Sequence, residues 1–219
     1  MKRIIHICLS ASLLATVLLF GSASFADARP EFYLGVSQVY NSINTDARNV
    51  PSYDEEETLY FPALDSDYGA SLTWGMEFRR FALEFGLTAS HHEGNNAAGL
   101  PIDADYGIFD VNFKKFIGSS PYIKPYLLVG FCVTVLEVEN GAYYDGYYPE
   151  WGDADFTGIG LNLGYGLTLK LGDSIGLKGE VIYRSVAFTH ASGVYEDGEL
   201  SDTLDGSGLC FNAGINLYF

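Results

Sequence analysis

The stretch Ser207-Gly-Leu-Cys-Phe-Asn-Ala-Gly-Ile-Asn-Leu-Tyr-Phe219 decides the fold. It alternates without a break: Leu209, Phe211, Ala213, Ile215, Leu217 and Phe219 fall on one side, and Gly208, Cys210, Asn212, Gly214, Asn216 and Tyr218 on the other. A period of two is the period of a β-strand, whose successive side chains point to opposite faces. One face of this strand is large and apolar, and the other is small and polar.

The same rhythm recurs along the chain. From Ile159 to Leu171, Ile159, Leu161, Leu163, Tyr165, Leu167, Leu169 and Leu171 oppose Gly160, Asn162, Gly164, Gly166, Thr168 and Lys170. A helix would scatter both sets around its axis, so a strand is the consistent assignment. Phe81–Ser90 and Tyr68–Phe78 repeat the pattern, and Phe32–Asn41, Tyr106–Phe116, Ile123–Leu136 and Ile175–Phe188 extend it. With Ser207–Phe219 the total is eight. An even number of strands closes an up-and-down barrel without exposed edges and brings both ends to one side. A soluble eight-stranded barrel of the lipocalin kind is the competing architecture, but it needs apolar residues inside and polar ones outside. Here the small and charged residues share one face and Leu, Ile, Phe and Trp the other, as a barrel in lipid requires.

The N-terminus fits export. Lys2 and Arg3 precede an apolar run from Ile4 to Phe20, followed by small residues, with cleavage expected after Ala26 or Ala28. This is the layout of a secretory signal peptide. The expected organisation is therefore a signal at 1–26 and one barrel domain at 27–219. The 25 glycines, 16 tyrosines and 15 phenylalanines suit a crowded lumen and interfacial aromatic belts, and 48% hydrophobic content argues against disorder. On these residues the mature chain resembles the small outer-membrane barrels of the OmpA/OmpX group. Asn212-x-Gly214-x-x-Leu217-x-Phe219 resembles the C-terminal signal read by the barrel-assembly machinery. The resemblance implies an integral outer-membrane protein, monomeric, with no cofactor and no nucleic-acid partner.

The connections alternate in length. Short turns fall at Arg79-Arg80, Gly118–Pro121 and Gly172–Ser174, and long connections at 42–67, 91–105, 137–155 and 189–206. Short periplasmic turns and long external loops are the bacterial pattern. The long segments hold 21 acidic residues and one base, Arg48, so the outer surface is strongly acidic. Divalent cations could bridge these carboxylates to the phosphates of lipopolysaccharide, which with other outer-membrane lipids is the expected partner. No metal site of defined spacing appears. Asp65-x-Asp67, Asp103-x-Asp105 and Asp153-x-Asp155 echo one another at the heads of three strands, yet parity puts the first pair inward and the other two outward. A single carboxylate ring is not expected.

Parity aims Glu77, Glu84, Asp110 and Glu180 at the lumen together with Lys114, Lys170, Lys178 and Arg184. Four acids against four bases suggest a salt-bridged plug, since unpaired charges in a closed interior are very costly. Cys132 and Cys210 also point inward. In an eight-stranded ring roughly 16 Å across, strands three steps apart stand about 15 Å from each other. A disulfide needs less than ~7 Å, so two free thiols are expected.

Two segments bear on activity. Ser185-Val-Ala-Phe-Thr-His190-Ala-Ser192-Gly193 resembles the His-x-Ser-Asn segment of lipid A 3-O-deacylases, which would make His190 a general base and Ser192 a nucleophile. Gly193 stands where that family has Asn, and His190 falls on the inward parity although such a site must reach lipid. The expectation is a non-enzymatic barrel, with the esterase as runner-up and a narrow porin-like pore third. In the third long segment, Tyr143, Tyr144, Tyr147, Tyr148 and Trp151 gather enough exposed aromatic surface to serve as a binding loop.

Overall fold

The computed structural model describes residues 30–51, 57–96, 99–144, 150–193 and 197–219; the expected signal segment lies outside them. The described residues form β1 (Glu31–Asn41), β2 (Arg48–Pro51), β3 (Glu57–Phe61), β4 (Ala63–Leu64), β5 (Asp67–Glu77), β6 (Phe81–Asn95), β7 (Pro101–Phe116), β8 (Ile123–Tyr144), β9 (Glu150–Lys170), β10 (Ile175–Ser192), β11 (Asp197–Asp205) and β12 (Gly208–Tyr218). Eight of these close a ring. β1 pairs with β5, each of β5 to β10 pairs in turn with its neighbour, β10 pairs with β12, and β12 returns to β1 with Leu34 opposite Leu217. Every junction is antiparallel. The eight strands read from the sequence are these eight.

Their ends differ from expectation, and the difference matters. About 9–11 tilted residues cross a bilayer. β8 has 22 residues and β9 has 21. The segments 91–105 and 137–155, expected as loops, are largely the continued ladders of β6–β7 and β8–β9. The strands do not stop at the top of the apolar band; they change partners in polarity. Below, β7 turns Phe113 outward and Asp110, Asn112 and Lys114 inward. Above, it buries Ile102, Ala104, Tyr106 and Ile108 and exposes Asp103 and Asp105. The period of two is unbroken while the chemistry of the two faces is exchanged.

The upper interior is an apolar core. Ile102, Tyr106, Leu136, Val138, Phe156, Val186, Phe188 and Leu204 pack with Val50, Leu59, Phe61 and Leu64 from the first long segment. That segment folds as the β2–β3 hairpin, with β3 joined to the top of β8, so Phe61 meets Phe156 and Phe188 edge-on at 5.1 and 5.6 Å. Arg48, the one base of the long segments, donates to the Thr203 carbonyl at 3.1 Å and ties β2 to β11. In the short turns, Gly118 (φ +88°) and Gly172 (φ +97°) take left-handed conformations that a Cβ disfavours.

Two irregularities interrupt the ladders of the eight-strand ring among the described residues. Two extra residues bulge from β8 between Val138 and Ala142; there Asn140 has φ +52° and its amide donates to Asp153 Oδ1 at 3.2 Å. A second bulge lies in β10, where Phe188 faces Gly158 but His190 faces Thr157, leaving Thr189 as the extra residue.

Candidate functional site

The membrane-level lumen is assembled from one inward residue per strand at successive levels. Lys114 of β7 lies 2.7 Å from Glu84 of β6 and 2.5 Å from Glu180 of β10, and Lys178 reaches the same two carboxylates at 3.6 and 3.5 Å. Tyr33 and Tyr126 donate their hydroxyls to Glu84 at 2.8 Å and Glu180 at 2.7 Å, and the Asn212 amide donates to Glu180 at 3.1 Å. These rings need space, which glycine supplies: a Cβ on Gly75 or Gly166 would come within 2.5 or 2.6 Å of the Tyr33 or Tyr126 ring. Toward the periplasmic rim, Glu77 is ion-paired with Lys124 and with Lys170 (3.3 Å), receives the Tyr218 hydroxyl at 3.2 Å, and Lys170 also pairs with Glu31. Toward the outer side, Arg184 pairs with Asp110 at 3.0 Å and donates to Asn41 at 3.3 Å, while Asn162 donates to Asp110 at 2.6 Å.

All eight lumen charges named from the sequence therefore face inward, and they fall into three groups along the barrel axis. Lys124, Tyr33, Tyr126, Tyr218 and Asn41 complete these groups and were not singled out. Parity places Tyr218 on this face already, and the same alternation carries Lys124, Tyr33, Tyr126 and Asn41 there. Cys132 and Cys210 are buried free thiols. A cavity of about 10 Å³ beside Arg184, lined in part by Asn41, Tyr106 and Cys210, has room for about one water.

His92 marks the change from polar to apolar interior. Fully buried, it shares a hydrogen bond of 2.9 Å with Ser90 Oγ, and its Nδ1 donates to the Asp65 carbonyl at 2.8 Å. The Asn41 amide also donates to Ser90. His92 thus anchors the chain leaving the first long segment.

On the outward face above the apolar band, Asp105, Glu137 and Asp155 stand directly opposite one another on β7, β8 and β9. Like charges in register repel. Burial first, and then the neighbouring carboxylates, push the Glu137 carboxyl up. Burial and Asp153 raise Asp155. At the end of the row His91 shares a 2.9 Å hydrogen bond with Asp105, which raises its pKa. Among the described residues no three His, Cys, Asp or Glu side chains converge as a metal-binding set.

The remaining candidates divide. The bulge at Thr189 reverses parity, so His190 and Ser192 share the outward face with Thr157 and Asp155, their partners on β9. The inward placement of His190 expected from unbroken alternation is thereby corrected. On the other side of β10, Glu199 of β11 is opposite His190 and Asp197 opposite Ser192 in register. Tyr143, Tyr144 and Trp151 sit on strands β8 and β9, not in a loop, and Tyr147 and Tyr148 lie outside the described residues. Asn212 and Gly214 face the lumen, whereas Leu217 and Phe219 face outward, with Phe219 82% exposed and stacked 6.5 Å from Phe32.

No family model and no curated protein matches the sequence. Solved structures do match the fold. Neisserial surface protein A is 12% identical, with 86% of this chain and 97% of that chain covered and a TM-score of 0.53. The attachment invasion locus protein Ail of Yersinia pestis is 12% identical over 88% and 99% of the two chains, TM-score 0.47, and the outer-membrane protease OmpT of Escherichia coli 10% over 90% and 100%, TM-score 0.40. Ring closure, strand number and the outward apolar band define the class: this is an eight-stranded outer-membrane β-barrel.

Proposed function

We propose that the protein is a closed barrel whose task is to hold an acidic, aromatic β-sheet above the outer membrane as an interaction surface. The observation that carries this reading is the continuation of β6–β10 past the apolar band around a filled apolar core, since a pore would need neither. The lumen charges support closure. Each lies within reach of an opposite charge, and an eight-stranded ring filled by side chains leaves little room for a channel. The carboxylate row at Asp105, Glu137 and Asp155 supports a second element: divalent cations, neutralising like charges in register, bridge the barrel to lipopolysaccharide phosphates. Reconstitution in planar bilayers tests closure. The expected result is a flat current trace, and resolved conductance steps would replace the plug with a pore.

A second reading is favoured by one observation. The β10 bulge turns His190 and Ser192 outward, at the height of lipid headgroups, with Asp155 on β9 and Asp197 and Glu199 on β11 at register positions opposite them. A serine esterase on outer-leaflet lipid needs this orientation, with His190 as base and Ser192 as nucleophile. Mass spectrometry of lipid A from cells producing the wild type, His190→Ala or Ser192→Ala decides it. Loss of one acyl chain that requires both residues would make the protein an esterase; identical spectra leave the displayed surface as its role.

A further inference from the structure

The outward face of the extracellular sheet carries an aromatic cluster that neither closure nor membrane anchoring uses. Trp151, at the start of β9, packs against Tyr143 of β8 at 4.8 Å and lies nearly parallel to Tyr60 of β3 at 5.6 Å. The neighbours Leu59, Phe61 and Ala142 are buried, so by alternation all three aromatics point outward, and Trp151 is 47% exposed. Tyr60 of β3, far away in sequence, joins the paired Tyr143 and Trp151 to build this patch.

It is too high to be an interfacial belt. Trp151 lies eight residues above Ile159, where the apolar band on β9 ends, or about 26 Å along the strand. The aromatics at the membrane boundary are others: Tyr40, tilted against Tyr68 at 5.1 Å and near Phe211 at 6.3 Å. Below the cluster on the same face run Asp153 and Asp155 of β9, Glu137 and Glu139 of β8, and Asp103 and Asp105 of β7. The one base of the long segments, Arg48, is engaged with Thr203 on β11. The face thus combines π surfaces with negative charge and, among the described residues, has no lysine or arginine of its own.

We propose that Tyr60, Tyr143 and Trp151, with the carboxylates descending from them, form a docking surface for a cationic polypeptide, an arginine- or lysine-rich segment of a partner protein. Guanidinium and ammonium groups are attracted to aromatic faces, and the stems of these side chains cover apolar surface. A metal ion would use the carboxylates and gain nothing from the rings. The patch runs from Trp151 to Asp155 and across three strands, which matches an extended peptide and exceeds any single ion. This proposal rests on the reading that the sheet is displayed outside the cell.

The experiment uses the full mature barrel in detergent with Trp74→Phe, which removes the lipid-facing indole and leaves Trp151 as the sole tryptophan. An octa-arginine peptide is titrated against Trp151 fluorescence, with octa-glutamate as control. The expected result is a saturable change for the first peptide only, weakened by salt. Tyr60→Ala and Tyr143→Ala each reduce affinity about two- to fivefold, the scale of an exposed cation–π contact. A barrel-dependent gel shift before heating shows that each variant is folded. Binding unaffected by the tyrosine substitutions would reduce the face to a carboxylate ion exchanger and overturn the proposal, as would no binding. Asp153→Cys, probed on intact cells with an impermeant maleimide, tests display separately, because Cys132 and Cys210 are buried. Labelling without peptide binding removes only the docking surface. Absence of labelling removes the displayed-sheet reading beneath it, and the docking surface with it.

Discussion

The lower and upper halves of this barrel share strands and, except beyond the β10 bulge, parity, but are built on opposite solvents. In the lower half the inward faces carry Glu84, Lys114, Lys178 and Glu180, and the outward faces carry residues such as Leu127, Val129, Leu161 and Leu163. In the upper half the inward faces carry Ile102, Leu136, Val138 and Phe156, and the outward ones Asp103, Asp105, Glu137 and Asp155. The lower part is a membrane barrel and the upper part a soluble one, joined by strands that run through both. Strand geometry therefore carries no memory of the medium; only the assignment of polarity to parity does.

The comparison breaks most visibly where an interior is matched to the wrong half. Glu180→Gln leaves Lys178 and Lys114 sharing Glu84 in a buried lumen, and an uncompensated buried charge costs about 3–5 kcal/mol. Urea unfolding in lipid vesicles should show this as a loss of global stability, partly restored by adding Lys178→Met. In the upper half the equivalent injury is a cavity. Phe61→Ala removes a ring packed between Phe156 and Phe188 and should cost about 3 kcal/mol. The cost should appear as faster hydrogen exchange in β2, β3 and the upper part of β8, with the membrane-level amides unchanged. Equal exchange everywhere would mean that the halves are one cooperative unit.

Outward positions on a single strand sharpen the contrast. Leu163→Lys on β9 places a charge against lipid and should cost about 2–3 kcal/mol. Asp155→Asn, eight residues above it, removes one member of a like-charged row and should stabilise by roughly 0.2–1 kcal/mol. Denaturant midpoints measured for both variants give the answer, and a shared sign would contradict the two-solvent description.

The same division explains what could be read from the sequence. Below the boundary, alternation with large apolar residues outward identifies all eight strands, the short turns and the inward charges other than Lys124. Above it, Asp103-Ala-Asp105 and Glu137-Val-Glu139 still alternate, but with the polarity of a soluble strand, so a search for lipid-facing residues assigned them to loops. His190 was misplaced for another reason. A bulge adds one residue without a compositional mark, and every side chain beyond Thr189 changes face. The Tyr60–Trp151–Tyr143 cluster depends on where the β2–β3 hairpin docks, which no local pattern encodes.

The smallest effect is set by two adjacent histidines that the strand sends to opposite sides. His91 faces outward, and its hydrogen bond to Asp105 raises its pKa above 6.5 against a smaller effect of burial. Its contribution to stability is complete below that value and is lost as pH rises through the higher folded value. Glu137 and Asp155, raised from 4.5 and 3.8, act with the same sign at lower pH. His92 faces inward, and burial lowers its pKa below 6.5, opposed by the Asp65 carbonyl, the nearby Asp67 charge adding to that opposition and His91 working against it. Its contribution is complete above 6.5 and is lost as pH falls through the lower folded value. Between pH 7.5 and 5.5 the two residues oppose each other. Exchange protection of upper β6 and β7, corrected for intrinsic rates, should fall on acidification in His91→Gln and rise in His92→Gln. The same slope in both variants would mean that the outward and inward faces of this strand meet the same solvent.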